Sequence, residues 1–137
     1  MKKSTKIIFR IAQFTAAIIL LQTLYFKFSA APESVYIFST LGLEPYGRIG
    51  IGIAELIASL LLLYTPISWL GALLGMGLMA GAIFSHLTQL GISVQGDGGY
   101  LFFLAVVVLI CCATVAFIQR NKIQVVACKI SGNVADI

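Results

Sequence analysis

Charge is what this chain lacks. Only 10% of its 137 residues are Asp, Glu, Lys or Arg, against about 25% in a typical soluble domain. A soluble fold of this length could not hide a composition that is 60% hydrophobic, so lipid is the expected solvent. Other scarcities exclude more. One histidine is present, so a haem held by two histidines of one chain is excluded, and zinc lacks the N and S ligands it needs. The three cysteines, Cys111, Cys112 and Cys128, form no C-x-x-C, and their odd number implies no disulfide framework. Cys111 and Cys112 have no charged neighbour to stabilise a thiolate, so a structural role is expected of them. The net charge of +4 comes from cations gathered mostly at the two ends. No basic face alternates with aromatics, which argues against nucleic acid as a partner.

What is present is four long apolar stretches, at about residues 7–26, 47–65, 67–90 and 99–118. Each has roughly the 20 residues a helix needs to cross the hydrocarbon of a bilayer. The runs are continuous rather than alternating, so a barrel strand is not the reading. The expectation is an all-α integral membrane four-helix bundle, one domain over residues 1–120. Residues 121–137 form a short polar tail on the cytoplasmic side, to which no structure is assigned. Pro66 breaks the second run from the third, and glycines in "GISVQGDGG" (Gly91 to Gly99) turn the chain into the fourth. Between the first two runs, Pro32 opens and Gly42 closes a segment in which Val35, Phe38 and Leu41 recur at helical spacing. It is read as a short helix lying at the membrane surface.

Lys2, Lys3, Lys6 and Arg10 flank the start, and Arg120, Lys122 and Lys129 follow the last run. The positive-inside rule then places both termini in the cytoplasm, and four crossings return the chain to that side. "SAA" (Ser29 to Ala31) after a basic start and an apolar run resembles a signal-peptide cleavage site. The run is too long for such a signal, however, and Pro32 follows the cut, so an uncleaved first helix is expected.

Ionisable groups inside such helices are costly and mark a function by default. Here they share a depth. Glu55 lies about 12 Å from the outer start of its helix, and His86 about 6 Å below the outer exit of the next. Lys27 ends the first helix on that side, Gln22 sits a turn and a half deeper, Arg48 starts the second helix, and Asp97 belongs to the outer turn. Arg48 and Glu55 share a helical face with Gly52 between them, where a partner group or ligand could come close. His86 and Gln89 are i, i+3 neighbours. "GALLG" (Gly71 to Gly75) and "GLMAG" (Gly77 to Gly81) signal close helix approach. Lys27, Arg48 and His86 are the cations that could reach Glu55. Two readings stay open: a buried ion-pair network that locks the helices, and a polar pocket in the outer half of the bundle.

"LYFKFS", "RIGIGIAELIASLLLLY" and "GAIFSHLTQLGI", in that order, resemble the DoxX family of small bacterial membrane proteins. The resemblance covers about residues 7 to 120. It implies a four-helix bundle in the bacterial cytoplasmic (inner) membrane, with Lys27, Arg48, Glu55 and His86 as the recurring polar residues. It also implies a link to quinone- or sulfur-related membrane oxidoreductase complexes. With no flavin, haem or iron–sulfur motif in the chain, a redox role would need a bound quinone or a partner subunit. On this reading Glu55 and His86 handle protons, while Lys27, Arg48, Gln22 and Gln89 bind substrate and the cations hold an anionic group. The expected partners are the bilayer and other membrane subunits or further copies of the chain. Two other functions compete: a non-catalytic assembly or scaffold protein, marked by a sealed network with no cavity beside Glu55, and a small proton-coupled transporter.

Overall fold

The computed structural model describes residues 1–135, and their regular structure is all helical, with no strand. The long helices are α1 (Lys3–Phe28), α3 (Tyr46–Leu63), α4 (Ser68–Ser85) and α5 (Tyr100–Ile118). Between α1 and α3 lies the short α2 (Pro32–Thr40), and α6 (Arg120–Ala135) follows α5. Four helical stretches are long and apolar enough to cross a membrane: α1, α3, Thr65–Leu90 and α5. The α2 helix has Pro32 in its first turn, where a missing N–H costs nothing, and Gly42 leaves it at φ +72°. The tail, given no structure from sequence, is helical from Arg120. Ile123, Val126 and Ile130 recur there at helical spacing, and Ile123 packs against the bundle core.

The four long helices form a ring in the order α1, α3, α4, α5, with α5 closing back on α1. Successive helices alternate in direction, so every neighbour in the ring is antiparallel. The core is built from small residues and a few branched ones: Ala16, Ala17, Ala58 and Ala72 are fully buried, as are Leu62, Val108 and Val115. Small side chains let helix backbones approach. Two of the glycines named from sequence serve this closeness. A Cβ on Gly71 would lie 2.6 Å from the Leu62 nitrogen and 2.7 Å from the Ala58 carbonyl oxygen, and one on Gly75 would lie 2.7 Å from Cys112 Sγ. Cys112 is therefore a packing residue, fully buried against α4.

The outward faces are apolar. Ile7, Ile11, Phe14 and Ile18 on α1, Ile53, Ile57 and Leu60 on α3, and Phe103, Ile110 and Phe117 on α5 are all exposed. The α5 window has a mean hydropathy of 3.1, yet only 22% of it is buried. Such a contiguous apolar belt is not a surface that water favours.

The end of the bundle that holds the α3–α4 turn, here the base, is tied by neutral polar groups. Buried Gln13 of α1 donates from Nε2 to the Leu62 carbonyl. Arg10 reaches Thr65 Oγ1 at 2.8 Å. From α5, Gln119 accepts from Ser68 Oγ at 2.8 Å and donates to the Thr65 carbonyl at 3.0 Å. The turn Thr65–Ile67 is thus bonded to α1 and to α5 at once, which satisfies carbonyls that the α3 end leaves open.

Gly71→Ala is expected to destabilise the bundle by about 1–3 kcal/mol through overpacking. Gly77→Ala, where an added Cβ meets nothing within 4 Å, should be neutral or stabilising by less than about 1 kcal/mol. Unfolding of the two variants in detergent measures both. Equal effects would contradict the close approach at Gly71.

Candidate functional site

At the opposite end, the head, the helices enclose a cavity of about 530 Å³. α1, α3, α4 and α5 supply its walls, and α2 with the Gly91–Gly99 turn lies across its end. The lining is mostly aliphatic and aromatic, and five acidic or basic side chains interrupt it: Lys27, Glu33, Glu55, His86 and Asp97.

Glu55 is the deepest charge, only 3% exposed. Of the three candidate cations, Lys27 is its partner. Lys27 Nζ lies 3.0 Å from Glu55 Oε2. Thr23 Oγ1 lies 3.2 Å from the same oxygen and 2.8 Å from the Leu20 carbonyl, sharing one proton between them. Thr23 precedes Lys27 by four residues, so both stand on one face of α1. Glu55 Oε1 has no hydrogen-bond partner among the described residues. No buried side-chain oxygen is left unsatisfied there, so Oε1 is reached from the cavity.

Arg48 is buried but has other work. Its Nε lies 2.8 Å and 3.0 Å from the two oxygens of Glu44, and its Nη1 donates to the Lys27 carbonyl. An arginine fork suits a carboxylate, and here it also satisfies a carbonyl at the C-terminus of α1. Arg48 therefore fixes the backbone from which Lys27 extends, and it does not line the cavity. The space at Gly52 is taken by Phe28, whose ring would lie 2.9 Å from an added Cβ. Close approach on that face is helix packing rather than ligand binding.

His86 begins a π-helical turn, His86–Leu90, that ends at Gly91 with φ +77°. Such turns recur at functional positions. His86 Nδ1 lies 2.9 Å from the Gly91 carbonyl. A carbonyl can only accept, so Nδ1 carries a proton, and whenever the ring is neutral Nε2 is an acceptor. The ring meets Phe102 edge-on at 5.7 Å. Nε2 has no partner among the described residues and, like Glu55 Oε1, is not sealed in. The cavity therefore presents two uncommitted polar atoms, Glu55 Oε1 as an acceptor and His86 Nε2 as a second one when the ring is neutral.

Gln22 and Gln89 are exposed and lie outside the cavity lining. Depth along a helix does not give direction around it. Gln22 is five residues from Lys27, off its face, and the wider π turn carries Gln89 away from His86. Thr23, Glu44 and Glu33 were not singled out from sequence. Two of them stood four residues before a named cation: Thr23 before Lys27, and Glu44 before Arg48.

Asp97 organises the turn beside the site. Its Oδ1 accepts from the backbone N–H of Val94 at 2.9 Å and of Gly99 at 2.8 Å, and Oδ2 from that of Leu101 at 3.3 Å. Its slight burial pushes the carboxyl up, but these N–H groups outweigh that and hold it below its ordinary value. Among the described residues no group of three or more His, Cys, Asp or Glu is placed to hold a metal ion. No family model, curated protein or solved structure matches the chain.

Two outcomes follow. Lys27→Met leaves a buried carboxylate unpaired and should cost about 3–5 kcal/mol, whereas Lys27→Met with Glu55→Leu should recover most of it. Unfolding of both variants in detergent tests this, and a double variant no better than the single would contradict the pairing. The depressed Asp97 makes its contribution to the turn fully present above about pH 4, the unfolded carboxylate value, and lost as pH falls through the lower folded value. The amide resonances of Val94 and Gly99 should therefore hold steady from neutral pH to about pH 4 and move only below it. Movement already near neutrality would contradict the hydrogen bonding described.

Proposed function

We propose that the chain is an integral membrane protein of the DoxX type that binds a quinol or quinone in the head cavity, as a subunit of a membrane oxidoreductase complex. Four helices long and apolar enough to span, and the exposed apolar belt around them, support insertion in a bilayer. The cation bias supports both termini in the cytoplasm of a bacterium, the head cavity in the outer half of the inner membrane, and α2 along the outer interface. The motif resemblance supports the family.

The observation that carries the ligand reading is the pair of uncommitted acceptors, Glu55 Oε1 and His86 Nε2, in an otherwise apolar cavity. Cavities of this size with a few polar groups hold small molecules. A quinol has an apolar ring and two hydroxyls, and each hydroxyl can donate to one acceptor. On oxidation, Glu55 and His86 are the groups able to take its two protons. Its two electrons pass to a redox centre on a partner subunit, since this chain supplies none of its own. The cavity beside Glu55 counts against the sealed network of a scaffold protein.

The expectation of a bound anionic group is dropped from this reading. Lys27 is engaged by Glu55 and Arg48 by Glu44, and three carboxylates line the cavity against one lysine and one histidine. That excess favours a neutral head and gives one observation to the transporter reading, in which a lipophilic cation would displace Lys27 from Glu55.

The test is binding of a reduced benzoquinone to purified protein in nanodiscs, wild type against Glu55→Gln. The variant should stay folded and lose affinity at least about tenfold, the value of one hydrogen bond to a charged group. Unchanged affinity would overturn the assignment of Glu55. Binding of a lipophilic cation in place of the quinol would favour transport.

A further inference from the structure

We infer that the cavity opens sideways, between α3 and the head half of α4, and that its ligand enters from the hydrocarbon of the bilayer carrying a chain. The inference rests on the ligand reading above and extends it to the route and to the class of molecule.

The two glycine patterns of α4 do different things. Gly71 and Gly75 are packed, Gly71 against the α3 backbone and Gly75 against Cys112 of α5. Gly77 and Gly81 are not packed. A Cβ on either would meet no atom within 4 Å, both are exposed, and both line the cavity. At about 100° per residue, Gly81 and Gly77 lie about 80° and 120° round from Gly71, turned away from Gly75 and so from α5. They therefore border the side of α4 that adjoins α3. Across that gap, Ile51 and Glu55 are the α3 residues that line the cavity. The hairpin is clamped at its base by the Gly71 contact and the bonded turn at Thr65. Toward the head an added Cβ at either glycine would meet no atom of α3 within 4 Å.

The end of the bundle is covered by a helix and a bonded turn, although exposed Glu33 and Leu43 also line the cavity there. α2 lies across it with Ser34 and Phe38 buried, and the following turn inserts Val94, only 2% exposed. Asp97 bonds that turn closed at three backbone N–H groups. A ligand dissolved in lipid meets two bare glycines and then the Glu55 carboxylate. The route selects a molecule with a neutral polar head and an apolar chain, the chain remaining between α3 and α4.

Gly81→Leu fills the gap from the side where there is room for it, and Gly77→Leu is the second variant should the first not fold. Two probes separate the routes: a benzoquinol with a long isoprenyl chain dissolved in the nanodisc bilayer, and the same ring without a chain added from water. Wild type should bind both. The leucine variant should melt within a few degrees of wild type, bind the chain-bearing probe at least about tenfold more slowly, and keep its affinity for the chainless ring within about twofold. An unchanged rate for the chain-bearing probe would overturn the portal while leaving the ligand reading standing. An equal loss of equilibrium affinity for both probes would overturn it too, since the leucine would then be filling the cavity itself. Failure of wild type to bind either probe would overturn the ligand reading and the portal with it.

Discussion

A carboxylate held in an apolar bundle must be compensated, and the compensation of Glu55 sets the design of the head. Removing one charge from water costs several kcal/mol, and a single well-placed cation offsets it only with further hydrogen bonds. Lys27 and Thr23 both serve Oε2. The other oxygen is left to the cavity, so the pair is compensated without being saturated. Much of the surrounding structure serves that arrangement. Arg48, bonded to Glu44, fixes the backbone carbonyl of Lys27. Phe28 against Gly52 sets the approach of α1 to α3.

The two ends of the bundle are built on opposite terms. The base uses neutral amides and hydroxyls, Gln13, Ser68 and Gln119, that satisfy one another and the turn carbonyls without a buried charge. Such groups hold helices in register at modest cost because each is hydrogen-bonded. The head uses charges and leaves two acceptors open. Packed Gly71 and unpacked Gly81 mark the change along a single helix.

The helices were legible in the sequence because hydropathy and length decide them with little competition from other forces. The α2 helix was legible from Pro32 and Gly42, two residues whose backbone preferences are local. The partner of Glu55 was not. Three cations stood at similar depth, and what separated them was chemistry outside the apolar runs: Glu44 claims Arg48, and the Gly91 carbonyl claims a nitrogen of His86. Depth also misled for Gln22 and Gln89, whose directions around their helices turn them outward. Position four residues before a named cation was an available signal for Thr23 and Glu44. The α6 helix was available too, in the spacing of Ile123, Val126 and Ile130. A polar pocket at the level of Glu55 was one of the two readings the sequence left open, but its apolar lining and extent were not legible, because a cavity arises from where packing stops, which no local pattern records.

The most direct measurement is an infrared difference spectrum of the protein in bilayers, recorded on adding a reduced benzoquinone, with carbon-13 in the glutamate carboxylates. If the open oxygen of Glu55 is the acceptor for a hydroxyl, a glutamate carboxylate band shifts on binding, and the shift is absent in Glu55→Gln. A ligand that binds without moving any glutamate band, or that moves the same band in the variant, would contradict the account.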